Sequence, residues 1–144
     1  MTTKEAVALY NTLKGLKLTD IKSDQRIKVI MNMRLLRPVA EKFSKDVQEA
    51  EQSLRPEGYD ELLQKVYEHN KSIASKGKEI MTALDLVEFR KKDSEYGESM
   101  KKFIEKINNE ENSIILDRLT DETFNTLCDN NKELTVEQLS LLYD

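Results

Sequence analysis

An apolar repeat between residues 29 and 54 constrains the fold more than any other feature of the chain. Apolar residues recur there at alternating spacings of four and three, at Val29, Met33, Leu36, Ala40, Phe43, Val47, Ala50 and Leu54. This spacing is typical of a helix that lays one seam against a partner helix. Ser23 followed by Asp24 predicts the start of the helix, because both residue types favour the first turn.

The first half of this helix has a wider apolar face than the second half. The additional apolar residues are Ile27, Ile30, Leu35 and Val39. We therefore expect a second neighbour to pack against the first half. Pro38 predicts a kink rather than an end, since the apolar register continues beyond it.

A turn and a returning helix are predicted to follow. Arg55-Pro56-Glu57-Gly58 favours a reversal of the chain. We expect one helix from about Tyr59 to about Asn108, with residues Leu62, Val66, Ile73, Ile80, Leu84 and Val87 facing the first helix. The predicted fold is mainly α, with a long antiparallel, coiled-coil-like helical hairpin over residues 23–109.

Both termini are predicted to form a small lobe of short helices, from residues 1–22 and 110–144. Thr2 and Glu5 form a capping box at the start of a first helix, and Thr120 and Thr135 begin two helices near the end. Residues 16–18 and 113–117 favour extended backbone, and we expect them to pair as a two-stranded β patch. Residues 1–144 are predicted to form a single domain.

Composition excludes many function classes. The chain has 4 Gly, 2 Pro and no Trp, and 35% of its residues are charged, which favours long solvated helices over an all-β fold. One cysteine, Cys128, allows no disulfide framework. We find no long apolar segment and no signal-like N-terminus, and we expect a cytoplasmic protein without membrane contact.

The chain has few groups suited to catalysis. His69 is the one histidine, and we expect it to be half-buried on the helical seam rather than catalytic. Usual zinc sites need several His or Cys ligands, which the chain lacks. Glu-x-x-Glu at residues 95–98 and Glu-x-x-Asp at residues 57–60 resemble halves of a magnesium site but occur in the reverse order. We therefore predict no enzyme activity, no metal and no cofactor.

Charge is unevenly distributed along the chain. Residues 1–40 carry a net charge of +5, and residues 110–144 carry −7. These segments could attract each other within one fold or across a symmetric dimer, before either needs an outside partner. The basic residues Arg26, Lys28, Arg34 and Arg37 also form a candidate face for nucleic-acid phosphates.

Several short motifs carry a resemblance. The opening Leu9-Tyr10-Asn11-Thr12-Leu13 with Leu16-Lys17-Leu18, and the ending Thr120-Asp121-Glu122-Thr123-Phe124, cover with their neighbours about a third of the chain. They resemble small helical proteins of phage and prophage genomes, whose function is unknown. The resemblance implies a host cytoplasm and no catalytic residues.

The sequence favours a non-enzymatic interaction or assembly protein, acting as a homodimer or with another protein partner. The alternative is a nucleic-acid-binding accessory factor that uses Arg26, Lys28, Arg34 and Arg37. A magnesium-dependent hydrolase is the third hypothesis.

Overall fold

A computed structural model describes residues 1–143. These residues form six helices and contain no strand. The helices are α1 (Thr3–Lys14), α2 (Ser23–Ser53), α3 (Tyr59–Ala74), α4 (Ala83–Asn108), α5 (Asp121–Asn130) and α6 (Val136–Tyr143). The mainly α fold is confirmed. The chain divides into two compact units, which are a terminal unit (residues 1–46 and from 106 onward) and a central unit (residues 47–105).

Local capping explains the starts of α1, α5 and α6. The Thr2 hydroxyl accepts a hydrogen bond from the Glu5 backbone N–H, and the Glu5 carboxylate accepts one from the Thr2 N–H at 2.8 Å. This contact lowers the pKa of Glu5, chiefly through the Thr2 backbone N–H. Thr120 caps α5, and Thr135 with Gln138 caps α6. The predicted starts of these three helices are confirmed.

The core of the terminal unit lies between α1 and the first half of α2. Its buried residues are Ala6, Leu9, Leu13, Val29 and Leu36. Leu141 and Leu142 of α6 pack against this cluster from one side. The first half of the α2 seam therefore contributes to the same core as α1.

The predicted two-stranded β patch is wrong. Lys17 does not pair with a strand, because its N–H donates to the Asn131 Oδ1 at 2.8 Å and its carbonyl accepts from the Asn131 Nδ2 at 3.1 Å. Asp117 instead exchanges two hydrogen bonds with the Asn32 side chain, each 2.8 Å long. Side-chain amides thus satisfy the backbone groups that a strand partner would have satisfied.

The N-terminus makes the one extended pairing in residues 1–143, an isolated antiparallel bridge between Thr2 and Glu111. The Thr3 N–H donates to the Glu110 carbonyl at 2.9 Å, and the Asn112 N–H donates to the Met1 carbonyl at 2.8 Å. Residues 110–112 therefore pair with the start of the chain and not with residues 16–18.

The central unit contains two helices where one was expected, so the prediction of a continuous helix over residues 59–108 is wrong. Residues 75–82 are not helical, and Lys76 has a positive φ of 58°. The Thr82 hydroxyl and the Asp85 carboxylate form a capping box that begins α4. The Thr82 backbone N–H, which donates to the carboxylate, is the main reason that the pKa of Asp85 is lowered.

This break changes which apolar residues face inward. Leu62 is buried and Val66 is half-buried, as expected. The other four residues that were predicted to face the first helix are exposed: Ile73, Ile80, Leu84 and Val87.

Aromatic side chains form the core of the central unit near its first turn. Gly58 adopts the left-handed backbone conformation, with φ of 77°, in the predicted turn. The Tyr59 ring contacts the rings of Phe89 and Tyr96, and its hydroxyl donates to the Asp93 carboxylate at 2.8 Å. That hydrogen bond raises the pKa of Tyr59.

Candidate interaction surface on helix α2

The first half of α2 carries apolar side chains on two opposite sides. Gln25, Val29, Asn32 and Leu36 are buried on the inward side. On the other side, Ile27 is 59% exposed, Ile30 40%, Met31 43% and Leu35 48%. We call Ile27, Ile30, Met31, Arg34 and Leu35 the α2 outward face. No neighbour in residues 1–143 buries this face.

Helical geometry explains the separation. An α-helix turns by roughly 100° per residue, which places the four inward residues within an arc of about 60°. The five residues of the α2 outward face fall within an arc of about 140° centred on the opposite side. The second neighbour that the sequence predicted for Ile27, Ile30 and Leu35 is absent from the described part of the chain.

The inward contacts fix the orientation of α2. Val29 and Leu36 belong to the core with α1. The Thr120 N–H donates to the Gln25 Oε1 at 3.1 Å, and Asn32 holds Asp117 through two hydrogen bonds. Rotating α2 to turn its outward apolar residues toward the core would expose Val29 and Leu36. It would also break the hydrogen bonds of the Gln25 and Asn32 side chains, so the α2 outward face is held toward solvent.

Three of the four predicted basic residues share the outward side of α2. Arg26, Arg34 and Arg37 are exposed and fall within an arc of roughly 80°. Lys28 is half-buried and lies apart from them, where its Nζ donates to the Arg118 carbonyl at 3.3 Å. Arg26 donates from Nη2 to the Ser23 hydroxyl at 3.1 Å.

Acidic residues within the described range 110–143 pair with other basic groups and not with these arginines. Lys22 pairs with Glu122 at 3.5 Å, and the N-terminal ammonium group pairs with Glu111 at 3.3 Å. The pair of Lys22 with Glu122 is exposed on both sides and contributes little to stability. In residues 1–143, no carboxylate forms an ion pair with Arg26, Arg34 or Arg37.

The local charge around the α2 outward face is strongly positive. Residues 23–40 contain four basic side chains and one acidic side chain, which gives a net charge of +3. The acidic one is Asp24, whose pKa is lowered chiefly because the Gln25 side-chain amide donates to its carboxylate at 3.0 Å. Asp24 lies near the N-terminus of α2, nearly three helical turns from Arg34.

His69 has a structural contact that the sequence did not reveal. Its side chain is buried, and its Nδ1 accepts hydrogen bonds from the backbone N–H groups of Ile80 and Met81, both at 3.1 Å. The imidazole proton therefore resides on Nε2. His69 holds the segment between α3 and α4 in place.

The carboxylates of residues 57–60 and 95–98, which were considered for magnesium, are not grouped into a metal site. Asp60 pairs with Arg55 at 3.1 Å. Within residues 1–143, no group of three or more His, Cys, Asp or Glu side chains is arranged to hold a metal ion. Cys128 is half-buried and has a free thiol.

Comparisons with known proteins identify no relative. No protein-family model matches the chain, and neither the curated proteins nor the solved structures contain a significant match. The resemblance to phage and prophage proteins stays a prediction. No helix in the described range is long and apolar enough to cross a membrane.

Proposed function

We propose that this protein acts by binding another protein, as a non-enzymatic interaction or assembly protein, and that the α2 outward face is its contact surface. The observation that carries the proposal is the row of four exposed apolar side chains on one well-anchored helix. Contiguous exposed apolar surface is characteristic of protein contacts. A second copy of this chain or a different protein could supply the partner.

The spacing of these residues supports a helical partner. Ile27, Ile30, Met31 and Leu35 follow the i, i+3, i+4, i+8 pattern by which one helix face packs on another. Single exposed apolar residues are common on proteins, but a row along more than two helical turns exposes a continuous stripe.

Site-specific photo-crosslinking in cells that naturally produce the protein tests this proposal. With p-benzoylphenylalanine in place of Met31, we expect a discrete protein adduct, which the additional substitution Leu35→Asp removes. Leu35 is exposed, so this change should leave the fold intact, as circular dichroism can verify. The same amino acid in place of the exposed Asn11 of α1 is the control. Equal adducts at both positions, or none at position 31, would contradict the proposal.

Nucleic-acid binding is the second candidate function. The observation in its favour is that Arg26, Arg34 and Arg37 are exposed on one side of α2 without an acidic partner in the described residues. Phosphates bind such guanidinium groups well. Phosphates bound to the arginines would leave the four exposed apolar side chains of the α2 outward face in contact with water, so we prefer the protein partner.

Fluorescence anisotropy separates the two functions. If phosphates bind this face, labelled DNA or RNA should bind at low salt, and Arg34→Glu together with Arg37→Glu should weaken binding by at least about tenfold. Lys101→Glu together with Lys102→Glu, at two exposed residues of α4, is the matched control for the loss of positive charge. We expect no retention of either nucleic acid at 0.15 M salt, where roughly three phosphate contacts give little affinity.

A further inference from the structure

We infer that the partner of the α2 outward face is a helix with an acidic rim around an apolar stripe, belonging to a different protein rather than to a second copy of this chain. The inference rests on the proposed function and specifies the chemistry of the partner. It follows from the positions of the three arginines relative to the four exposed apolar side chains.

Arg34 lies inside the apolar stripe and not beside it. It follows Met31 by three residues and Ile30 by four, and it precedes Leu35 directly. A purely apolar partner would cover the guanidinium without a counter-charge, which is unfavourable. A carboxylate at the matching point of the partner removes this penalty and can bind the guanidinium with two parallel hydrogen bonds.

Arg26 and Arg37 extend this requirement along the helix. They are eleven residues apart, which corresponds to roughly 16 Å along α2, and they fall on the same edge of the α2 outward face. A partner helix that crosses the stripe lengthwise therefore meets positive charge at its centre and along one edge. Glutamate or aspartate at those positions complements the net charge of +3 on residues 23–40.

A second copy fits poorly because it brings like charges together. In an antiparallel two-fold pair the same edges meet, so Arg26 and Arg37 of one copy face those of the other. In a parallel two-fold pair Arg34 faces its own counterpart. Backbone groups of Asp117 and Thr120 are also bound on the inward side of α2, so residues 117–120 of the same chain are held away from the α2 outward face.

A pair of designed peptides tests the inference with the full chain. Each peptide is a capped amphipathic helix of roughly 20 residues with one leucine stripe; one peptide has glutamate and the other lysine on both sides of the stripe. Isothermal titration calorimetry at 0.05 M salt should show that the glutamate peptide binds at least about tenfold more tightly. The chain as a whole carries a net charge of −4, so overall charge would favour the lysine peptide.

Three variants locate the binding. Arg34→Glu should reduce the preference for the glutamate peptide to less than about threefold, because the net charge of residues 23–40 falls from +3 to +1. Ile30→Asp should abolish binding of the glutamate peptide. Lys101→Glu, on exposed surface of α4, should change the affinity by less than about twofold. Equal affinity for the two peptides, or an unchanged preference in Arg34→Glu, overturns the inference.

Sedimentation equilibrium distinguishes failure of the inference from failure of the proposed function. We expect a monomer. A dimer that Ile30→Asp dissociates would overturn the acidic partner and leave the α2 outward face as an interaction surface. Loss of the glutamate preference while the adduct at position 31 persists would have the same meaning. Absence of the adduct at position 31 would overturn both the acidic partner and the proposed function.

Discussion

Replacing Asn131 with aspartate should lower the free energy of unfolding by at least about 3 kcal/mol at pH 7. Asn131 is only 1% exposed. Its Nδ2 donates to the Lys17 carbonyl at 3.1 Å and to the Leu127 carbonyl at 2.9 Å. A carboxylate at this position has no proton to donate, so it would place negative charge against two carbonyl oxygens away from water.

The loss of stability in Asn131→Asp should depend on pH. Burial and the two carbonyls disfavour the ionised form, so the pKa of the new carboxyl in the folded state lies above its unfolded value of about 3.9. A group with a raised folded pKa destabilises fully above that pKa. The penalty decreases as the pH falls through the folded value toward the unfolded one, because the protonated carboxyl can donate again.

Urea denaturation at several pH values from 7 to 4, with the unchanged chain measured in parallel, checks this result. Asn125→Asp is the matched control, since Asn125 is an exposed residue of α5, the helix that ends directly before Asn131. We expect Asn125→Asp to change the unfolding free energy by no more than about 0.5 kcal/mol at any of these pH values. A pH-independent loss in Asn131→Asp would contradict this cause, because asparagine and aspartate have nearly the same size and shape and only the ionised carboxylate brings the buried charge.

The contact tested by this variant also explains which parts of the fold were predictable. Helix starts depend on residues three or four positions apart, so Thr2 with Glu5, Thr120 with Thr123 and Thr135 with Gln138 were visible in the sequence. Asn131 and Lys17 are 114 residues apart, and Asn32 and Asp117 are 85 apart. No periodic pattern marks such pairs, and extended segments next to them resemble strands.

The break between α3 and α4 was visible in part. Thr82 and Asp85 have the spacing of a capping box, which indicates that a new helix starts there. The prediction of one long helix instead gave weight to apolar residues such as Ile73, Ile80 and Leu84. The spacing of these residues in the sequence is helical. Because residues 75–82 are not helical, the residues before and after this segment do not share one helix face, and Leu84 is 82% exposed.

The sequence identified most of the apolar residues of the α2 outward face but did not show that they would be exposed. Ile27, Ile30 and Leu35 were expected to face a second neighbour, and Val39 alone of that set packs against the core. Met31 was not singled out, because it belongs neither to the apolar seam nor to the predicted basic face. Which apolar side of α2 is covered depends on Gln25 and Asn32, whose distant backbone partners the sequence does not reveal.

Replacing His69 with leucine should lower the free energy of unfolding by about 2–3 kcal/mol. Leucine is apolar and of similar size, but it offers no acceptor to the backbone N–H groups of Ile80 and Met81. The Met81 N–H is buried and would lose its partner, while the partly buried Ile80 N–H could bind water. Most of the expected loss therefore comes from the Met81 N–H.

Amide hydrogen exchange separates this cause from a general loss of packing around His69. In His69→Leu, the amides of Ile80 and Met81 should exchange faster by a larger factor than amides in the middle of α3, because local opening of residues 75–82 exposes them first. Asn70→Leu, at an exposed neighbour in the same helix, should leave both the stability and these two amides nearly unchanged. Uniform acceleration across α3 and α4 would mean that the imidazole stabilises the central unit by packing. Selective acceleration at Ile80 and Met81 would show that one side-chain nitrogen supplies the acceptor that these two N–H groups lack in the non-helical segment before α4.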